Sequence, residues 1–186
     1  CSRTLATAIG SYANATAADS VAIGFLSNAT ADDSLAIGKS SIANEVNAIA
    51  IGTEAKATAN NSIAFGDNAE ASGNQATTFG ASAVANQENA TAVGEKAKAT
   101  GTQSTAIGRQ SLANKHDATA LGTISKATGV RATALGVQST ASGKCSIAVG
   151  SWSVASGNLS QAIGPNAMAF GETSAAFGAF AAASGS

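Results

Sequence analysis

The 186-residue chain has one proline, one histidine, one tryptophan and two cysteines, and its aromatic residues amount to 4%. Charged residues make up 11%, against roughly 25% in average proteins. Large core side chains and ion pairs are both scarce, so backbone ladders and close packing of small residues must hold the fold. A formal net charge of −1 gives no argument for nucleic acid or an anionic membrane. No apolar run approaches the roughly 18 residues of a membrane helix. The N-terminus has neither a basic region nor an unbroken apolar stretch of signal-peptide type, so an exported protein would be represented here by a mature fragment.

The scarcity extends to chemistry. His116 stands alone beside Asp117, and such a pair in a loop reads as a solvated corner, not as half of a triad. Without a Cys/His cluster, a zinc site within one chain is not expected. Asp32 and Asp33 do not recur in other repeats, unlike the acidic residues of calcium-binding β-rolls. The reading is a chain with no catalytic, cofactor-binding or metal-binding residues. Cys1 and Cys145 lie about ten repeats apart, roughly 50 Å at about 4.8 Å per stacked strand, too far for a disulfide. Cys1 reads as a cloning or numbering artefact, with a lipid-modified mature N-terminus as the lesser alternative.

Glycine, by contrast, is placed with great regularity. Thirteen of the 20 glycines, from Gly10 and Gly24 through Gly164 to Gly178, fall 14 residues apart without a slip. The other seven, Gly73, Gly101, Gly129, Gly143, Gly157, Gly171 and Gly185, fall on the half-step. A period held this strictly means one supersecondary unit stacked on itself, a single array over residues 1–186. Counting from each grid glycine as zero, position +5 is always Ala (Ala15, Ala29, Ala43) and +3 is always Ala or Ser, while +4 varies freely through Asn14, Lys56, Glu70 and Val84. That alternation marks a strand with one packed and one wet face. Position +12 is Ala except at Thr78, +13 is Ile, Val, Leu or Phe, and +11 is mainly β-branched. Both faces of this second strand are restricted, so it reads as buried on both sides. Pairs such as Asp32-Asp33, Asn60-Asn61 and Asp67-Asn68 fill two short corners at +1/+2 and +8/+9.

Two strands and two corners in 14 residues describe one rung of an all-β parallel β-roll of about 13 rungs. A helix is excluded, because each interior glycine would cost about 1 kcal/mol relative to Ala. With the Ala and Ser rows inside, the +11 and +13 rows point outward as an apolar stripe too long for a soluble monomer to leave exposed. The stripe therefore predicts self-association. The reverse orientation is the weaker alternative, since it would put Gln161 and the threonines Thr77, Thr91, Thr105, Thr119 and Thr133 inside without partners. Lys56, Lys96, Lys98, Lys126 and Arg131 read mainly as solubilising, with a weak basic stripe for anionic matrix polymers as the sharper option. Tyr12, Phe25, Leu26, Trp152 and Phe180 sit at corners and read as packing against a neighbouring chain or, second, as anchors for a partner.

The phrases Ser20-Val21-Ala22-Ile23-Gly24, Ser62-Ile63-Ala64-Phe65-Gly66 and Ser146-Ile147-Ala148-Val149-Gly150 recur along the chain, linked by Ala69-Glu70-Ala71-Ser72-Gly73 and Ala97-Lys98-Ala99-Thr100-Gly101. In these phrases the chain resembles the YadA-like head of bacterial trimeric autotransporter adhesins. The resemblance implies a left-handed roll assembled as a homotrimer and displayed at the bacterial cell surface. It further implies attachment to host extracellular matrix of collagen type or to host-cell receptors, and autoagglutination. Stalk and membrane anchor are not in this sequence and are implied by the resemblance alone. The alternatives are a structural spacer of a surface fibre and, less favoured, an ice-binding solenoid suggested by the threonine ranks.

Overall fold

The computed structural model describes residues 5–185. They form two compact units, Cys1–Ala90 and Thr91–Ser186. Both are built from one rung: a three-residue strand, a corner, a two-residue strand and a second corner. In the first unit the long strands run from Thr7–Ile9 to Thr77–Phe79 and the short ones from Asn14–Ala15 to Val84–Ala85, giving six rungs. In the second unit they run from Thr91–Val93 to Ala175–Phe177 and from Lys98–Ala99 to Ala182–Ala183, giving seven. The architecture is the parallel β-solenoid that the 14-residue period predicts.

Each strand pairs in parallel with its equivalent one rung away, so like residues stack on like: Val21 on Leu35, Ala22 on Ala36, Ile23 on Ile37. The same holds on the short strands, where Ile42 pairs with Lys56 and Ala43 with Ala57. Successive side chains of a strand point to opposite faces, and burial shows which face is inside. Ala29, Ala43 and Ala57 at +5 and Ala22, Ala36 and Ala50 at +12 are fully buried, as are Ser27 and Ser41 at +3 and Ser20 and Ser62 at +10. The interior is therefore made of four small-residue rows. The +11 and +13 rows face outward, so the strand read as buried on both sides is buried on one side within a single chain. Its outer residues remain half-exposed or exposed, Phe65 at 43% and Leu121 at 41%.

The buried serines have a specific task. At each corner the backbone N–H at +3 donates to the grid-glycine carbonyl, and the one at +10 donates to the half-step carbonyl, as in Ala13 to Gly10 and Ser20 to Ala17. The serine hydroxyl at +3 or +10 donates to that same carbonyl: Ser27 Oγ to Gly24 O at 3.0 Å, Ser20 Oγ to Ala17 O at 2.8 Å, Ser104 Oγ to Gly101 O at 2.6 Å. A hydroxyl in a dry interior is thereby satisfied without a larger partner. The hydroxyls of Ser111, Ser146 and Ser160 lie in the same rows without a hydrogen-bond partner.

The grid glycines are required by close approach. Gly24 has φ of +133°, and a Cβ there would lie 2.6 Å from the Gly38 carbonyl oxygen of the next rung. No other residue type fits that backbone at that spacing.

Candidate functional site

With four inward rows too small to offer a cavity for chemistry, the surface that can act is the outside of the rungs. The long-strand sheet presents Val21, Leu35, Ile49 and Ile63 at +11 in the first unit, beside Ile23, Ile37, Ile51, Phe65 and Phe79 at +13. In the second unit the +13 row continues as Val93, Ile107, Leu121, Leu135, Val149 and Ile163. Parallel register makes each row continuous within its unit. Phe65 and Phe79 stack with ring centroids 4.8 Å apart and planes 15° from parallel, a geometry that adjacent rungs impose. These rows give each unit an apolar face that follows the rungs.

The threonines split between sheets. Thr91, Thr105, Thr119 and Thr133 pair in register on the outer face of the long-strand sheet. Thr16, Thr30, Thr58, Thr100 and Thr128 follow the short strands instead. No single flat face gathers both ranks.

The corners hold a feature that composition did not reveal. Every +2 and every +9 residue has a left-handed backbone, with φ between 54° and 63°, and none of the 25 is glycine. Asn61, Asn68 and Asp33 suit this conformation; Ile124, Thr173 and Trp152 do not. The sequence signal was hidden because Tyr, Leu, Ile and Trp occupy the same columns as Asn and Asp. Tyr12 and Phe25 meet edge to face at 6.1 Å, and Tyr12, Trp152 and Phe180 are more than half exposed.

The polar candidates resolve individually. His116 Nδ1 lies 2.8 Å from its neighbour Asp117 Oδ2, with both side chains open to solvent and no nucleophile in the pair. Asp32 Oδ1 accepts from the Ala18 backbone N–H at 3.1 Å, which ties two rungs together at the corner. Asn158 Oδ1 does the same for Lys144 N–H at 3.0 Å. Among the described residues no group of three or more His, Cys, Asp or Glu is placed to hold a metal ion. Cys145 is a half-buried corner thiol without a disulfide among the described residues, and Cys1 lies outside them.

One family model matches the chain repeatedly. The YadA head domain repeat is found at residues 4–27, 15–41, 29–55, 43–69, 71–97, 85–111, 99–125, 127–151, 141–160 and 155–181. The chain belongs to this family. No curated protein matches it. Among solved structures it is similar to the collagen-binding domain of the Yersinia adhesin YadA, with 26% identity over 95% of this chain and 82% of that one, at a TM-score of 0.33. YadA head repeats are an adhesin-type module.

Proposed function

We propose that the chain is the head of a bacterial surface adhesin, active as a left-handed homotrimeric roll and without enzymatic activity. The observation that carries the reading is the outward apolar row at +13, present on every rung of both units. Such a surface exceeds what a soluble monomer leaves open to water, and copies of the same chain packed about a common axis would cover it. Residues 1–186 act in this reading as one uninterrupted array, because Gly80 and Gly94 keep the 14-residue spacing across the division between the units. The head is displayed on the outer membrane and attaches to host extracellular matrix of collagen type or to a host-cell receptor. The outer surface of the assembled trimer serves autoagglutination as well. Many weak contacts repeated on three chains raise the effective concentration and give firm attachment to a repetitive target.

Retention of the purified chain on immobilised collagen-type matrix protein tests the proposal, compared with an assembly-weakened Ile37→Asp/Ile51→Asp variant. The proposal expects wild-type retention with slow dissociation and an apparent affinity at least about 100-fold lower in the variant, the lower range of avidity effects. No retention of wild type, or equal retention of both, would refute it.

A further inference from the structure

A near-neutral total hides a strong charge division. Residues 1–90 carry three Lys or Arg against eight Asp or Glu, whereas residues 91–186 carry seven against three. The cations of the second unit are all exposed, and four of them share one side of three successive rungs: Lys96 at +2, Lys98 at +4, Arg109 at +1 and Lys126 at +4. The register Lys98↔Leu112↔Lys126 puts both lysines on the outer face of the short-strand sheet, two strands apart, or about 10 Å at the usual strand spacing. Lys96 is paired with Glu95 at 3.4 Å. Lys98, Arg109 and Lys126 have no ion-pair partner among the described residues.

Solubility does not require this arrangement, because the first unit shows what an ordinary polar edge looks like. Its equivalent positions are Lys39, Glu54, Lys56, Asp67 and Glu70, which mix signs. The opposite corner of the second unit also mixes them, with Lys115, Arg131 and Lys144 interrupted by Asp117 and Glu172. On the Lys96–Lys126 side the one carboxylate, Glu95, is taken up by Lys96, which leaves Lys98, Arg109 and Lys126 as a cationic strip following the rung axis.

We propose that this strip is a docking site for a linear sulfated polysaccharide. The proposal deepens the adhesin reading and rests on it for the extracellular setting. Charge complementarity selects a polyanion, and a strip that repeats along the rungs suits a chain of regularly spaced sulfates. Leu112, Gln110, Thr100 and Thr128 accompany the cations; none of them is the aromatic platform on which single-stranded nucleic acid stacks. Lys98 and Lys126 extend from a rigid sheet, so little order is lost on binding.

The test uses the full chain with heparin as the probe, and N- and O-desulfated heparin, duplex DNA and anionic lipid vesicles as comparators. Binding is measured across a salt series for wild type and two triple variants. The strip variant is Lys98→Gln/Arg109→Gln/Lys126→Gln and the opposite-corner variant is Lys115→Gln/Arg131→Gln/Lys144→Gln. Expected is a loss of at least about tenfold in the strip variant, with the log–log salt slope reduced by about two to three, near one per neutralised contact. The opposite-corner variant should stay within about threefold of wild type. A gain-of-function variant, Glu54→Lys/Glu70→Lys, should add heparin affinity by giving the first unit a strip of its own. Equal losses in both triples, unchanged binding in the strip variant, or DNA, vesicle or desulfated-heparin binding as tight as heparin would each overturn the proposal. Matrix-protein retention is measured in parallel. A chain that holds matrix protein and ignores heparin refutes this site alone, and the reverse result refutes the matrix-protein reading alone.

Discussion

The two units have the same interior and different exteriors. Ala57 and Ala127 occupy the same fully buried position, as do Ser62 and Ser104, yet outward the units diverge. The first unit lines its +11 column with Val21, Leu35, Ile49 and Ile63; the second uses Thr91, Thr105, Thr119 and Thr133 over four rungs. Six of the twelve left-handed corner residues of the first unit are Asn or Asp, against Asp117 and Asn166 among thirteen in the second. The half-step differs too, being Gly once in the first unit and Gly in all but Lys115 in the second. Packing keeps the inward rows small, because a close-packed interior leaves little room for larger side chains; Thr78 is the one fully buried exception in the +12 row. The outward columns answer to partners and solvent, so they are free to specialise.

The comparison is broken most severely at a position the units share. Gly24→Val puts a Cβ against the Gly38 carbonyl at a φ reserved for glycine, and Gly108→Val does the equivalent in the second unit. Both should lose about 3 kcal/mol or more, read as a collapse of the urea midpoint; a loss in one unit only would show that the interiors are not equivalent. A second test separates the exteriors. Leu35→Asp should weaken assembly by about 2 kcal/mol, the scale for burying one leucine, while Thr105→Asp should weaken it far less; sedimentation at graded concentration decides. Equal effects would mean that the apolar column of the first unit has no special part in assembly.

The half-step sharpens the contrast. Gly73, Gly101 and Gly129 donate an extra backbone hydrogen bond to the next rung that Ala17 and Ala31 do not make. A Cβ at Gly101 would clash with the Lys115 carbonyl oxygen of the next rung, so Gly101→Ala should cost about 2 kcal/mol or more, measured by chemical denaturation. An unchanged stability would show that the second unit's corner can open to the first unit's form. Smallest is the gain expected from correcting a corner: Ile124→Asn relieves a β-branched residue at φ 59° and should stabilise by about 1 kcal/mol, raising Tm by about 2–4 °C. A lowered Tm would show that Ile124 packs usefully despite its backbone.

Much of this was legible before any coordinates. Invariant Ala at +5 and near-invariant Ala at +12 announced the inward rows, and Ile, Val, Leu and Phe at +13 the outward one; the reverse orientation was disfavoured only because it would bury Gln161 and five threonines without partners. Three things were less legible. The left-handed corners were masked by Tyr12, Leu26 and Trp152 standing where Asn would be expected. The serine hydroxyls at +3 and +10 looked like mere small residues until their corner carbonyls were placed beside them. The cationic strip was read only as a weak basic stripe secondary to solubility, because a net charge of −1 hides it; that Arg109 joins Lys98 and Lys126 on one side shows only when rungs stack. The apolar row was therefore plain from sequence, while the charged strip was a secondary reading that the fold narrowed to Lys98, Arg109 and Lys126.

The claim on which the rest depends is that the outward Ile, Val, Leu and Phe row is covered by other copies of the chain. Sedimentation equilibrium of the pure protein from about 1 to 100 μM measures this directly. The account predicts a single species of three chains throughout that range; a folded, monodisperse monomer at the highest concentration would contradict it.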